Sequence, residues 1–591
     1  MNPTTRAPQA ERHAESVSHR GAGAPRRGAG AGGPADWPLP ARWRDHLTLD
    51  SPPLTRLYWA GVALVIGGLF VTRLLPCVDY PQHLALSDVA RRLLDPNAPE
   101  QAQYQLNYFT YNGLFHVVVA RLSEVVPIEV AGRLVVAASL AGMAGAVVAL
   151  VRTLRRPPVH AALFTPILFS FSLGWGFVNY VLATTIAAWA LVFVVRAVVR
   201  PSLANLGALA ALGLLCAFAH VLATLILCAS AGALGLELSW RVTPPSPARL
   251  ARSARALRRC ALALLPLAVG CAYCVAVYRR QYDWDPNMYR DPTMEGASAP
   301  FWQKVAFFGA FATDLFHDAT DQVVLLVTVV VMAGSAWLAW RGRTAGADRL
   351  DAPAGAGDAD RSPPPIVLPF AVLIVAYFVT PMVLVGTHLI FPRLAQWAVL
   401  GAVLATPRFP GALAERARVW IPRLGLLAGA NTLLHCALFG WETSDASATL
   451  DDLPPGGAAT AVIWEPSTYA FRNGALTHLA AYYAARKHGR WAFAFARYLS
   501  VPVRFKPGGQ PAWPAVGWEF DAASYDPRCK YARAFPLVIV KAPAQLPRDA
   551  SGESAVRALV FKQDAAAVTL LSHHGRYWAF DSTGLPDDGT L

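Results

Sequence analysis

Eleven apolar blocks, most of them close to the length of a bilayer crossing, decide what this chain can fold into. They fall at about 55–75, 128–151, 159–173, 176–195, 203–219, 221–239, 260–278, 322–340, 365–386, 394–406 and 420–440. A helix rises about 1.5 Å per residue, so about 20 apolar residues cover the roughly 30 Å of hydrocarbon in a membrane. Only 15% of the 591 residues are charged and 54% are hydrophobic, whereas a soluble globular chain carries about a quarter charged residues. The expectation is a polytopic α-helical membrane protein with about eleven transmembrane helices. The stretch 203–239 divides into two spans at His220, and the block at 394–406 is short enough to be a tilted or broken helix.

The formal net charge of +14 is placed by these blocks. Arginines cluster in alternate loops: Arg152, Arg155 and Arg156; Arg196 and Arg200; Arg241 through Arg259; Arg341 through Arg361; Arg408 through Arg423. That is the positive-inside pattern of a membrane protein and not a nucleic-acid-binding face. It puts the N-terminus in the cytoplasm and, with an odd number of spans, the C-terminus outside. Arg- and Ala-rich usage fits a multi-pass protein of a bacterial inner membrane. Residues 1–54 are rich in Arg, Gly, Ala and Pro and read as a disordered cytoplasmic tail. The first apolar block is longer than a signal-peptide core and lacks a small-residue cleavage site, so it is expected to be retained. The membrane core then runs over 55–440, with outer loops at 76–127 and 279–321 and a cytoplasmic linker at 344–364. An amphipathic stretch near 115–126 is suited to lie along the interface. Residues 441–591 have mixed composition and short apolar runs at 461–464, 535–540 and 558–561, the pattern of an α/β or β-rich soluble domain in the periplasm.

The stretch Leu74-Leu75-Pro76-Cys77-Val78-Asp79-Tyr80-Pro81-Gln82-His83-Leu84 emerges directly from the first block. Pro81 is suited to a first helical position, which sets Asp79 just before a helix and His83 about a turn along it. Four more polar residues sit at the outer ends of spans: Asn179, His220, His388 and Arg393. Buried polar groups in membrane segments usually face a cavity or the protein interior. Each also has a plainer reading: Asp79 or Asn179 as a helix cap, His220 as a turn residue, His388 as an interface residue, Arg393 as a snorkelling anchor. Asp283 and Asp285 are spaced like a two-carboxylate metal site but suit a solvated loop. His573-His574 reads as a surface pair, and Cys271-x-x-Cys274 as small packing residues on a membrane helix. Cys77 and Cys529 both fall on the outer side, where a disulfide between them is an option.

An acid immediately after the first span, in a chain of about eleven spans with an outer C-terminal domain, resembles the GT-C superfamily of membrane glycosyltransferases. Asp79-Tyr80-Pro81-x-His83-Leu84 and Gly176-Phe177-x-Asn179-Tyr180 also look like an uncharacterised bacterial branch of that type. The resemblance implies a polyprenyl-phosphate sugar donor and an envelope glycan, lipid or protein acceptor. Such transfer needs a base for the acceptor hydroxyl, for which Asp79 is the candidate with His83 as partner or alternative. It also needs a cation for the donor phosphate, for which Arg393 is the candidate and Arg73 a second. Tyr80, Asn179, His220 and His388 are expected to line the sugar pocket. The commoner loop motif is Asp-Glu or Asp-x-Asp; Asp79 has no adjacent acid, which leaves a divalent metal as an open requirement and no other cofactor implied. Two competing functions are a transporter or flippase of lipid-linked cargo and a non-catalytic envelope scaffold. The absence of an internal repeat of useful period, and of polar residues at mid-span, weighs against the transporter.

Overall fold

The computed structural model describes residues 43–244, 246–284, 299–346, 365–383, 388–498, 500–511, 514 and 517–585. Most of the 1–54 tail, most of the 344–364 linker and Asp285 lie outside the described residues, as does the side chain of Asp283. In chain order the helices are α1 (Pro52–Gly68), α2 (Tyr80–Arg92), α3 (Leu114–Leu122), α4 (Ile128–Thr153), α5 (Phe171–Gly174), α6 (Val178–Val199), α7 (Leu203–Ala219), α8 (Val221–Val242), α9 (Arg249–Leu264), α10 (Ala268–Trp284), α11 (Phe301–Ala306), α12 (Phe308–Ala312), α13 (Thr320–Gly346), α14 (Leu368–Val379), α15 (Ile390–Ala405), α16 (Gly411–Glu442), α17 (Ser444–Asp452) and α18 (Leu479–Lys487).

Every apolar block contains helix among the described residues, and the chain is a multi-pass helical membrane protein. Among the described residues, six helices are long and apolar enough to cross a bilayer: Ile128–Thr153, Val178–Val199, Val221–Val242, Arg249–Gln281, Thr320–Arg341 and Leu413–Glu442. Four shorter apolar helices accompany them, at Pro158–Gly174, Leu203–Ala219, Leu368–Val379 and Ile390–Ala405. The expected first span is shorter than its apolar block. Helix α1 opens on two prolines, which suit a helix start, and ends at Gly68, so residues 69–79 form an irregular approach to α2 that is buried from Leu74 to Val78. Close packing of α1 on α16 depends on small residues, because a Cβ on Gly61 would sit 2.9 Å from the Gly425 carbonyl oxygen, the arrangement by which membrane helices approach without side chains between them. The division at His220 is sharp. That residue is extended (φ −169°, ψ 125°), ending α7 and capping α8 through its own Nδ1, which accepts from the Leu222 amide at 3.1 Å.

The C-terminal region is α/β. Its sheet has the order β3-β2-β5-β7-β6, with β2 (Ala458–Ile463), β3 (Arg490–Trp491), β5 (Leu537–Lys541), β6 (Thr569–His574) and β7 (Tyr577–Asp581). Strand β2 runs parallel to β3 and β5, and β7 runs antiparallel to β5 and β6. Every residue of β2 and β5 is buried, as a parallel strand covered on both faces requires. The third apolar run, 558–561, ends a helix at Glu553–Phe561.

The loop at 76–127 is built into this region. Strand β1 (Tyr104–Leu106) pairs antiparallel with β4 (Val503–Phe505), with Tyr104 opposite Phe505. Helix α2 packs on α18. The stretch near 115–126 forms α3, which buries Phe115, His116 and Val119. The loop at 279–321 is tied down as well, since Asp314 pairs with Arg472 at 2.7 Å. All eight cysteines are free. The Cys77–Cys529 option is therefore not taken up: Cys77 is fully buried in the core, and the Cys529 Sγ accepts from the Ala532 amide to cap a short helix. The His573 ring stacks on Trp578 at 3.6 Å, and His574 pairs with Asp452 at 2.8 Å, so both have structural partners.

Candidate functional site

The loop before α2 and the loop before α6 are held together by their backbones. The Val78 amide donates to the Gly174 carbonyl and the Asp79 amide to the Trp175 carbonyl, each at 3.0 Å. Gly176 makes this possible. It sits at φ +88°, and a Cβ there would collide with the amide nitrogens of Asp79 and Tyr80, the latter at 2.6 Å. Only glycine adopts such a conformation at no steric cost. Asn473 of the C-terminal region adds a third tie, donating to the carbonyls of Pro76 (3.0 Å) and Gly174 (2.7 Å). The two sequence motifs around Asp79 and Gly176 are thus one structural unit.

Asp79 occupies the N-cap position of α2, yet its side chain makes no capping bond. It reaches His478 instead, Oδ1 to Nε2 at 3.3 Å. The other face of His478 meets Glu519, Nδ1 to Oε2 at 3.5 Å, and Gln82 Nε2 at 3.2 Å. Gln82 is oriented by the Trp491 indole, which donates to its Oε1 at 2.7 Å. Burial disfavours charge on His478, but its hydrogen bond to Asp79 and the two nearby carboxylates outweigh that and raise its pKa. Burial, with Asp79 adding to it against the pull of His478, pushes the Glu519 carboxyl up to about 7.

One turn along α2 a second chain of groups begins. His116 Nδ1 lies 2.8 Å from the Asn112 carbonyl, to which it can only donate. In a neutral imidazole the other nitrogen must then accept. That nitrogen, Nε2, lies 3.1 Å from His83 Nδ1. His83 therefore donates from Nδ1 and keeps a basic lone pair on Nε2. Burial, followed by the electrostatic influence of His116, His220, His478 and Arg393, holds its pKa well below the usual imidazole range, and burial brings His116 down to about 4. Asn179 Nδ2 stands 3.4 Å from His83 Nδ1, and Asn179 Oδ1 is buried with no partner.

Arg393 completes the cluster from α15. Its guanidinium carbon lies 3.6 Å from the Phe177 ring centroid, and Nη2 donates to the His388 carbonyl at 3.1 Å. Nη1 lies 3.2 Å from His220 Nε2. His220 Nδ1 already accepts from Leu222, so a neutral His220 turns its N–H toward Arg393, donor against donor. Arg393 Nε is buried without a partner, and among the described residues no carboxylate lies within ion-pair distance of Arg393. This guanidinium has no direct ion pair, only the more distant charge of Asp79, which leaves it able to bind a further anion.

The structure thus brings together Asp79, His83, Asn179, His220 and Arg393 from four separate segments. His388 reaches the cluster through its backbone carbonyl while its side chain is exposed. Tyr80 points the other way along α2, with its hydroxyl toward the Glu129 carbonyl and its ring against Tyr482. Arg73 is distant in role, exposed and paired with Asp451 at 3.1 Å. Sequence reasoning missed His116, His478, Gln82 and Glu519. His116 carried one signal, a lone imidazole on the apolar face of an amphipathic stretch; the other three lie where only the fold selects them. Among the described residues no group of His, Cys, Asp and Glu is arranged to hold a metal ion.

No protein-family description matches this chain, and no curated protein sequence matches it. Among solved structures it is similar to ArnT from Cupriavidus metallidurans bound to undecaprenyl phosphate, with a TM-score of 0.49 and 12% identity, over 90% of this chain and 98% of that one. The apo state of the same protein gives a TM-score of 0.44 and 13% identity over the same shares.

Proposed function

We propose that this chain is a membrane glycosyltransferase that moves a sugar from a polyprenyl-phosphate donor to an envelope acceptor. In this reading the reaction takes place on the outer face of a bacterial inner membrane, with the N-terminus inside and the C-terminal region in the periplasm. One observation supports it above others: a buried base-bearing cluster and an arginine without a direct ion pair converge at the junction of the helical core and the C-terminal α/β region. A lipid donor suits that place, because its chain can stay in the bilayer while its head group enters the protein.

Asp79 takes the proton of the acceptor hydroxyl, oriented by its bond to His478. His83, with its free Nε2, is the alternative base. Arg393 holds the donor phosphate as negative charge grows on the leaving group, a type of stabilisation that works best where water is excluded. Asn179 and His220 contact the sugar.

The test is transfer of radiolabelled sugar from a panel of polyprenyl-phosphate sugars to envelope acceptors, by purified wild type, Asp79→Asn and His83→Asn of equal folded content. Transfer that collapses in Asp79→Asn identifies the base. Transfer that collapses only in His83→Asn moves the role to the imidazole. No transfer by any of them, with lipid-linked cargo crossing proteoliposomes, replaces the enzyme with a transporter.

A further inference from the structure

Toward the C-terminal end of α2 lies a cavity of about 570 Å³. Its wall is formed by the end of α2, the start of α4, α17 and the end of α18, and it carries five basic side chains against three carboxylates. The carboxylates are already engaged. Asp451 pairs with Arg73 (3.1 Å) and Arg486 (3.0 Å), Glu129 pairs with Arg486 (2.8 Å), and Asp88 pairs with Arg91 (2.9 Å) and His488 (3.0 Å). Arg133 and Lys487 are left without a carboxylate among the described residues. Arg133 donates to the Arg73 carbonyl and Lys487 to the Asp451 carbonyl at 2.7 Å. The Nε atoms of Arg91 and Arg133 are buried with no hydrogen-bond partner. Two unpaired cations and two orphaned guanidinium donors around one cavity call for an anion rich in acceptor oxygens.

The surroundings say where that anion comes from. Beside Arg133 on α4, Val130 and Leu134 are 36% and 41% exposed, and Phe70 and Val71, just before Arg73, are 45% and 49% exposed. Val125, before the start of α4, is 80% exposed. Helix α4 is itself one of the six candidate spans. Exposed apolar residues next to the lining residues Arg73, Glu129 and Arg133 in sequence, at the end of a candidate membrane span, match a ligand that is half acyl chain and half phosphate. We propose that this cavity seats the phosphate head group of an anionic lipid. The inference does not rest on glycosyl transfer; under that reading the cavity is a lipid site separate from the donor phosphate at Arg393.

The full-length protein, purified in neutral detergent, is titrated with phosphatidic acid, with phosphatidylcholine of the same chains and with inorganic phosphate. Bound lipid is followed by native mass spectrometry and by thermal stability. Wild type is expected to prefer phosphatidic acid over both other probes by about ten-fold or more in affinity. The pair R133Q/K487Q is expected to lose that preference while its lipid-free melting temperature holds. Lys487→Gln alone, whose ammonium bonds only a backbone carbonyl, keeps the test decisive if the pair does not fold. No preference in wild type, or an unchanged preference in the variants, overturns the site. Equal affinity for inorganic phosphate and phosphatidic acid overturns its assignment to a lipid. None of these readouts involves sugar transfer, so the two proposals fail separately.

Discussion

Two polar assemblies share helix α2 and are built from different side chains. Around Asp79 and His83 the chemistry is mostly imidazole, with one arginine and two carboxylates, and nearly every member is buried. Around Asp88 and Arg91 it is guanidinium and carboxylate in paired networks, and the cavity is open. The difference follows from solvation. A buried charge without a partner costs several kcal/mol, so the interior cluster relies mostly on imidazoles, which can stay neutral at pH 7, around a single buried arginine. At the open cavity water screens the outer charges, such as Arg73 and Asp451, while the more buried ones, Asp88 and Arg486, are held in ion pairs.

The largest effect that tests this contrast is on chemistry. Asp79→Asn keeps the shape and removes the proposed base, and under the proposed function sugar transfer is expected to fall by about 10²–10⁴-fold at equal folded content. An Asp79→Asn protein as active as wild type would move the role to His83, and full activity in both Asp79→Asn and His83→Asn would make the interior cluster merely structural. Next is a substitution outside both assemblies. Gly176→Ala forces a Cβ into the backbone of Asp79 and Tyr80 at φ +88°, and should cost about 2–4 kcal/mol in denaturant unfolding. An alanine variant of wild-type stability would show that the loops before α2 and α6 are not locked together.

The interior cluster should also be visible in pH dependence. Glu519 titrates in the folded protein at about 7 instead of about 4.5. A raised carboxyl pKa stabilises the fold below the ordinary value, and that stability is lost as pH rises through the folded value. Glu519→Gln removes the loss, so its melting temperature relative to wild type should climb between pH 5 and pH 8, by the equivalent of about 3 kcal/mol. His116 acts in the opposite sense. Its pKa of about 4 gives stability that is present above the ordinary imidazole value and lost as pH falls through about 4. A flat difference between Glu519→Gln and wild type across that range would mean that Glu519 is solvated. The smallest effect belongs to the open cavity. The Arg73–Asp451 pair is 72% and 49% exposed, and exposed pairs contribute about 1 kcal/mol or less. Arg73→Gln should hardly move the melting temperature, and a large drop would mean that this cavity is not open to water.

The membrane class was carried by the sequence alone, because blocks of apolar residues near bilayer length have few other uses. So was the break at His220, where a polar residue interrupts a continuous apolar run. The pairing of the Asp79 and Gly176 motifs was only half visible: both stood out, but nothing in the spacing of residues about 100 positions apart says that a left-handed glycine lets one backbone rest on the other. Tyr80 shows the limit of a motif. It adjoins Asp79 in sequence, yet successive helical residues point about 100° apart, and it faces the core beside Tyr482.

What the sequence determined by itself is therefore local and solvent-driven: which segments are apolar enough to be helices in a bilayer, and which residues interrupt them. What only the tertiary structure decided is which interruptions meet. His478 and Glu519 lie some 400 residues or more from Asp79, and His116 and Gln82 look ordinary in their segments. Hydrogen bonds and ion pairs act over about 3 to 4 Å, a range that sequence distance does not encode and that only the packing of the C-terminal α/β region onto the loop at 76–127 supplies.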